Sequence, residues 1–331
     1  VIKIKNSKIY FFAFLLLVLL TGAMFFVSIV LFFPQNSKLS QTQKFVIKKN
    51  ETIKSVASRL HEAGLIRHPV VFRFVVWRGN LDTRIQAGSF ELSPSMSARQ
   101  IAEKLTQGVD DVWISFNEGL RVEEMADLLE TEAILEGFNK EAFIAKTKPN
   151  EGYLFPDTYL VPKTMEADGL ADLMLKTFDD KVKNNWDKLS VGTSRNLEEV
   201  VIMASIVQRE SGADQEEMAH IAGILWNRVD NGWGLFVDCT LQYMAGFNKS
   251  LKTWWAPPQV EFKSSSSAFN TYKFKGLPPS PIANPGLAAI KAAAQPLPSG
   301  DFYYLHAPDG KIHYAKDLVQ HNNNINKYLK N

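Results

Sequence analysis

One cysteine, Cys239, is all that the 331-residue chain carries, so no internal disulfide can staple it. A surplus of charge is missing too. Lys and Arg number 37 against 35 Asp and Glu, and no basic block alternates with aromatics, which argues against nucleic acid as a partner. The histidines (His61, His68, His220, His306, His313 and His321) form no H-E-x-x-H or comparable ligand spacing. Neither a metal nor any other cofactor is therefore expected. No G-x-S-x-G is present, and Ser205 sits mid-helix, where hydroxyls usually bond back to the preceding turn. A Gly-rich phosphate loop is absent as well.

What the chain does have is apolar residues, 46% of the total, and a length that suits about two domains. The run from Ile9 to Phe33 carries no charge and is long enough to cross a hydrocarbon core of roughly 30 Å as a helix. A cleaved signal peptide has a shorter apolar core and a small-residue cleavage site, and neither fits. Lys3, Lys5 and Lys8 precede the run, so the positive-inside rule predicts a short cytoplasmic N-terminus (1–8), a single span (9–33) and everything after about Pro34 outside. Lys38, Lys44, Lys48 and Lys49 follow the span, but a long folded region is translocated largely regardless of such charges. Residues 34–43 read as a polar linker.

Three strand-helix patterns follow. Phe45–Ile47 leads, past a turn at Asn50, to a helix starting near Thr52 with Val56, Ala57 and Leu60 on one face and Gly64 as its stop. Gly88–Leu92 precedes Ser97, whose helix holds Ile101, Ala102 and Leu105, with Gln100 placed for a capping box. Val112–Phe116 precedes Arg121 and then Met125, Ala126 and Leu129. These patterns predict a small α+β region from Lys44 to Glu136. Beyond Asn150 the texture changes to helical patterns at Leu170–Trp186, Leu197–Glu210, Glu216–Val229 and Asp317–Leu329, separated by Pro- and Gly-rich segments such as GLPPSPIANPG. This region (137–331) reads as a mainly helical domain whose stiffened loops build a cleft.

Glu210 stands out within it. On a 3.6-residue helix Met203, Ile206 and Val207 share a stripe with Glu210, whereas Gln208 and Arg209 point elsewhere. A carboxylate on a core-facing stripe is paired, placed at the rim of a cleft, or kept protonated. The apolar neighbours and the negative end of the helix dipole near Gly212 both favour the protonated form, which suits a general acid.

The first strand-helix pattern resembles a LysM module through Phe45, Val46, Glu51, Thr52, Ile53, Val56, Ala57 and Leu60. Such modules commonly bind N-acetylglucosamine polymers, which leaves glycan binding open beside a purely structural role. EGYLFPDTY (Glu151–Tyr159), MASIVQRES (Met203–Ser211), IAGILWNRV (Ile221–Val229), FVDCTLQY (Phe236–Tyr243), FNTYKFKGLPPSPIANPG (Phe269–Gly286) and HYAKDLVQHN (His313–Asn322) occur in the order seen in YceG-like endolytic murein transglycosylases, and the chain resembles that family. The resemblance implies an α+β fold made of a transmembrane helix, a LysM-like α+β subdomain (44–136) and a catalytic domain (137–331).

It also implies an activity. The family's acid is the second acidic residue of A-S-I-hydrophobic-E-x-E, a position that Glu210 holds here, while Gln208 replaces the first. Positions 208 and 210 lie about 200° apart on a helix, so loss of the first acid need not abolish activity. By the family's mechanism the muramic acid 6-hydroxyl attacks its own anomeric carbon and leaves a 1,6-anhydro end, with Glu210 acting first as acid and then as base. The matching motifs imply substrate contacts at Tyr153, Asp157, Asn227, Asp238, Thr240, Gln242, Asn270, Tyr272 and His321. For Asp238 a turn or cap before Thr240 is an equal alternative, and Cys239 departs from the proline usual at its position. Asn270, Thr271 and Tyr272, with Pro278 and Pro279, are expected to wall the sugar cleft. His313 and His321 match positions in the closing motif, where lone histidines are more often structural or surface residues than catalytic ones. The partners implied are peptidoglycan glycan strands and the synthases that polymerise them, at a bacterial inner membrane. A non-catalytic peptidoglycan-binding scaffold is the alternative from another class, and a muramidase that hydrolyses with water is a nearer one.

Overall fold

The computed structural model describes residues 11–12, 14–22, 34–36, 41–48, 50–107, 111–212 and 214–330. Residues 11–12 and 14–22 are helical. Among the described residues no helix is long and apolar enough to cross a membrane, and much of the expected span Ile9–Phe33 lies outside them, as does the lysine-bearing stretch before it. The chain divides into two compact units, Val1–Ile114 with Tyr159–Lys163, and Ser115–Thr158 with Thr164–Asn331.

In the first unit, β1 (Gln43–Ile47) pairs antiparallel with β2 (Gly88–Leu92), Gln43 facing Leu92 and Ile47 facing Gly88. Between them lie α1 (Ile53–Glu62) and α2 (Pro69–Arg78), and α3 (Ala98–Lys104) follows β2. Thr52 caps α1 by accepting the Ser55 N–H, and Ser97 and Gln100 form the expected capping box on α3. Phe45, Val56, Ala57, Leu60, Phe72, Leu92 and Ile101 make the core. Glu51, part of the LysM-like pattern, accepts from the Lys48 N–H, the Ser55 hydroxyl and the Arg59 guanidinium, so its carboxylate is occupied in holding the β1–α1 turn. The helix α2 was not anticipated, because its sequence PVVFRFVVWR is apolar on nearly every side and shows no helical period.

The third strand-helix pattern is divided between the units. β3 (Asp111–Ser115) pairs with β4 (Thr158–Pro162), and both lie almost wholly in the first unit. The helix α4 (Val122–Thr131) belongs to the second.

The second unit continues with α5 (Lys140–Thr147), α6 (Ala167–Lys181), α7 (Trp186–Leu189), α8 (Leu197–Glu210), α9 (Gln215–Asp230), α10 (Asp238–Ala245), α11 (Leu287–Ala294), the hairpin β5 (Tyr303–His306) and β6 (Ile312–Ala315), and α12 (Leu318–Tyr328). The helix expected over Leu170–Trp186 stops at Lys181, since the Asn185 amide donates to the Asp180 and Lys181 carbonyls and a 3-10 turn intervenes. α8 is the centre of this unit. Asn196 and Glu199 cap it reciprocally, and Val200 through Val207 are all buried, so the expected apolar stripe is in fact a whole circumference. α9 and the alanine-rich α11 pack against it.

Loops are tied by buried polar groups. Asn284, wholly buried, accepts the Gly152 and Leu154 N–H groups and donates to the Leu120 carbonyl, joining three loops. Gly152, at φ +92°, leaves no room for a Cβ against the Pro281 ring. Glu151 accepts from the Val122 N–H at the start of α4 and from Tyr243, and shares Lys148 with Glu123. Burial opposes ionisation of Glu123, but hydrogen bonds and charge from Arg121 and Lys148 outweigh it and hold the carboxyl at about 2.

Asn284→Ala leaves the Gly152 and Leu154 N–H groups without their acceptor, while the Leu120 carbonyl keeps the residue 284 backbone N–H, and should cost at least about 2 kcal/mol in a denaturant titration. Because the Glu123 carboxyl is lowered in the fold, its contribution is complete above the ordinary value of 4.5 and is lost as pH falls toward about 2. Glu123→Gln should flatten that acid limb of a stability-against-pH profile. Glu151, whose carboxyl burial raises, acts with the opposite sign.

Candidate active site

α8 ends where its burial ends. Ser211 closes it, bonding to the Val207 carbonyl with both N–H and hydroxyl, and the half-buried Glu210 emerges at the last helical position. Its carboxylate accepts the Tyr304 hydroxyl at 2.8 Å and lies beside the buried Cys239 thiol. Burial first, and then the Glu210 charge with the hydrogen bond between them, pushes that thiol well up. Burial and the same carboxylate also raise Tyr304 well above an ordinary phenol. Both groups therefore stay protonated, and Tyr304 donates to Glu210 across the neutral range.

Glu210 opens into a cavity of about 420 Å³ whose wall, among the described residues, holds one other carboxylate, Asp238. Asp238 begins α10 and accepts the Tyr272 hydroxyl at 2.7 Å. Burial and then Asp238 raise the Tyr272 phenol. Trp233, Phe236 and Tyr303 present further aromatic surface, a lining suited to the apolar faces of a sugar ring. His321 stacks on Tyr303, with ring centroids 5.0 Å apart, and burial followed by the Arg228 charge lowers its pKa and favours the neutral imidazole.

Behind the tyrosines lies Arg228, 6% exposed. Its guanidinium donates to the Phe302 carbonyl at 2.7 Å and to the Leu235 carbonyl, so it ties β5 to the loop before α10. Burial lowers its pKa, whereas Tyr304 and Glu210 act in the opposite direction. A buried cation thus faces the Glu210 side of the cavity.

Of the residues singled out in the sequence, Glu210, Asp238, Tyr272 and His321 share this cavity. Others are engaged within the protein. Tyr153 packs on Phe178 at 5.0 Å, and Asp157 pairs with Lys181 at 2.6 Å. Asn227 donates to the Asp301 carbonyl and faces a different hollow, of about 580 Å³, whose wall carries one acid, Asp230, paired with Arg195. Thr240 bonds to the Val237 carbonyl and the Thr271 hydroxyl, and Gln242 donates to the Trp255 carbonyl. Asn270 is wholly buried and donates to the carbonyls of Phe262, Lys263 and Ser265. Gln208 accepts the Gly286 N–H at the start of α11, so the position where the first acid is missing is bound up with a helix cap. Arg209 lies over the Trp255 ring at 3.9 Å, and His313 stacks on Tyr328 at 3.6 Å.

Sequence reasoning missed Arg228, Trp233, Phe236, Tyr303 and Tyr304. A signal existed for Arg228, which continues the Ile221, Ile224 and Leu225 stripe of α9 and so puts a charge on a core face just as Glu210 does. Nothing in FYYLH marks which tyrosine meets the acid.

The model of the YceG-like family matches residues 45–327. The chain belongs to the YceG-like family. It is 27% identical over 336 residues to an endolytic murein transglycosylase of Streptococcus pneumoniae serotype 2 (strain D39), covering 88% of this chain and 59% of that protein. A protein of the same description from Bacillus subtilis (strain 168) is 26% identical over 344 residues, covering 94% of this chain and 91% of its own length. The chain therefore spans 59% of the pneumococcal relative and nearly all of the Bacillus one. A solved yceG-like protein from Listeria monocytogenes superposes with a TM-score of 0.55 at 26% identity, over 85% of this chain and 98% of that one.

Arg228→Met should cost about 1–3 kcal/mol for each carbonyl left without its donor. Arg228→Lys should recover less than half of that loss in the same denaturation experiment, because an ammonium cannot reproduce the guanidinium fork.

Proposed function

We propose that the chain is an endolytic peptidoglycan lytic transglycosylase, with Glu210 as its catalytic acid and base. The observation that carries this reading is the Glu210 carboxyl at the end of a fully buried helix, opening into an aromatic-walled cavity beside Tyr304 and Arg228. Family membership and relatives named endolytic murein transglycosylase support it.

The chemistry follows from the charges that form. Breaking a β-1,4 bond between MurNAc and GlcNAc needs a proton on the leaving oxygen, which protonated Glu210 delivers. The resulting carboxylate then takes the proton of the muramic acid 6-hydroxyl as that oxygen attacks the anomeric carbon. One group serves both steps, and the 1,6-anhydro product consumes no water. The Tyr304 hydroxyl and the Arg228 charge stabilise the carboxylate between the two steps. The aromatic wall would hold sugar rings in place.

The Ile9–Phe33 run would anchor the chain in the cytoplasmic membrane as a single pass, with both folded units outside. The chain that follows the run is bonded to the first unit at Pro34 and Asn36, which would keep cleavage close to where new strands emerge and so limit their length. Contact with the synthases that make those strands belongs to the same reading.

One observation favours a second reading. Asp238 shares the cavity with Glu210, and a pair of carboxylates is what a hydrolase that uses water requires. Product chemistry separates the two. Incubation of the full chain in detergent with uncrosslinked glycan strands should give internal cuts ending in 1,6-anhydro-muramic acid by mass spectrometry, and Glu210→Gln should abolish them. Reducing ends would mean a hydrolase. No cleavage by folded protein across a range of pH would mean a glycan-binding scaffold.

A further inference from the structure

The outer face of α2 has no role in the site described above. Its inner side, Phe72, Val75 and Val76, is buried in the core of the first unit. Its outer side exposes Val70 (59%), Phe74 (45%) and Trp77 (70%). These fall at i, i+4 and i+7 and share one face, with the Phe74 and Trp77 rings 5.9 Å apart. A helix apolar on both sides is ordinarily covered on both.

Three observations indicate the cover. Arg73 and Arg78 flank the exposed face, are themselves exposed, and have no ion-pair partner among the described residues. The acids nearby are Asp82 and Glu103, the latter paired with Arg99 at 2.8 Å. Second, the stretch that follows the uncharged run is pinned at the start of this helix. Arg67 donates from Nε and Nη2 to the Pro34 carbonyl at 3.2 and 2.9 Å, and the Asn36 N–H donates to the Pro94 carbonyl at 2.9 Å. Pro34 directly follows Phe33 in the chain. Third, hollows of about 460 and 420 Å³ lie on either side of Phe74, each rimmed by one of the unpaired arginines.

We propose that the outer face of α2 rests on the membrane surface beside the Ile9–Phe33 span, with Val70, Phe74 and Trp77 among the upper acyl chains and Arg73 and Arg78 on anionic phospholipid headgroups. The inference rests on the anchoring reading given above. Tryptophan at the level of the headgroups and guanidinium against phosphate are the chemistry that such an interface selects. A second copy docking face to face by a two-fold would set these arginines against their own kind. Contact along α2 holds the first unit flat on the bilayer, so the span and the helix act as two attachments rather than one.

The experiment uses the full chain in vesicles of phosphatidylethanolamine with phosphatidylglycerol, carrying a nitroxide on Trp77→Cys or, as reference, on Glu62→Cys. Cys239 is buried and its thiol is pushed up by that burial, so it stays unlabelled. Relative to the reference, the label at position 77 should lose collisions with a water-soluble nickel reagent and gain collisions with oxygen by about threefold or more. Adding Arg73→Gln with Arg78→Gln, or using phosphatidylcholine alone, should reverse most of that change. Flotation after an alkaline wash reports anchoring separately. A chain that floats while the label at position 77 stays open to nickel overturns the contact and leaves the anchor standing, and a chain that does not float overturns both. Shielding that appears only at high protein-to-lipid ratio, or only when glycan strands are added, assigns the face to a second copy or to glycan and overturns the proposal.

Discussion

The second unit depends on one helix having no solvent face. α8 is buried on every side from Val200 to Val207, and α9 and α11 pack around it together with side chains such as Phe178 and Val237, because so much apolar surface must be covered. The alanines of α11 let its backbone approach closely, and Gly223 of α9 lets the Leu297 carbonyl approach to where a Cβ would stand 2.0 Å away. That approach fixes the chain just before β5, which brings Tyr304 onto Glu210. The acid is held by the end of a rigid core element rather than by a loop, the arrangement that keeps a reacting group within a narrow range of positions.

The same burial explains the company that Glu210 keeps. The Glu210 carboxyl leaves the apolar core half-buried, and on its protein side it meets fixed polar groups. Tyr304 and Cys239 meet it with protons that burial and the Glu210 charge itself make hard to remove. Arg228 supplies opposite charge, held in place by two backbone carbonyls. Cys239 is buried beside the acid and does not line the cavity.

How much of this could be read in the sequence depended on periodicity. Helix bounds were legible nearly to the residue: the helix expected near Thr52 begins at Ile53, Ser97 and Gln100 form the expected capping box, and α8 runs from Leu197 to Glu210. Helices apolar all round gave no phase. That hid α2 and turned the circumference of α8 into an apparent stripe. Glu210 was legible as a charge at the end of an apolar helix, and its cavity partners from other elements were not, because Tyr304 and Trp233 reach it through hairpin and loop paths that local pattern does not encode. Asn270, Thr240 and Gln242 bond to the loops around them through the Asn270 amide, the Thr240 hydroxyl and the Gln242 amide nitrogen, ties that a local pattern does not reveal.

The central claim is that one carboxylate carries the chemistry although two line the cavity. Steady-state rates of strand cleavage for Asp238→Asn, measured beside the parent chain and Glu210→Gln, test it most directly. The account predicts a loss of about 10²-fold or more for Glu210→Gln and less than about tenfold for Asp238→Asn. Equal, severe losses for both would contradict it and would make Asp238 a full partner in catalysis.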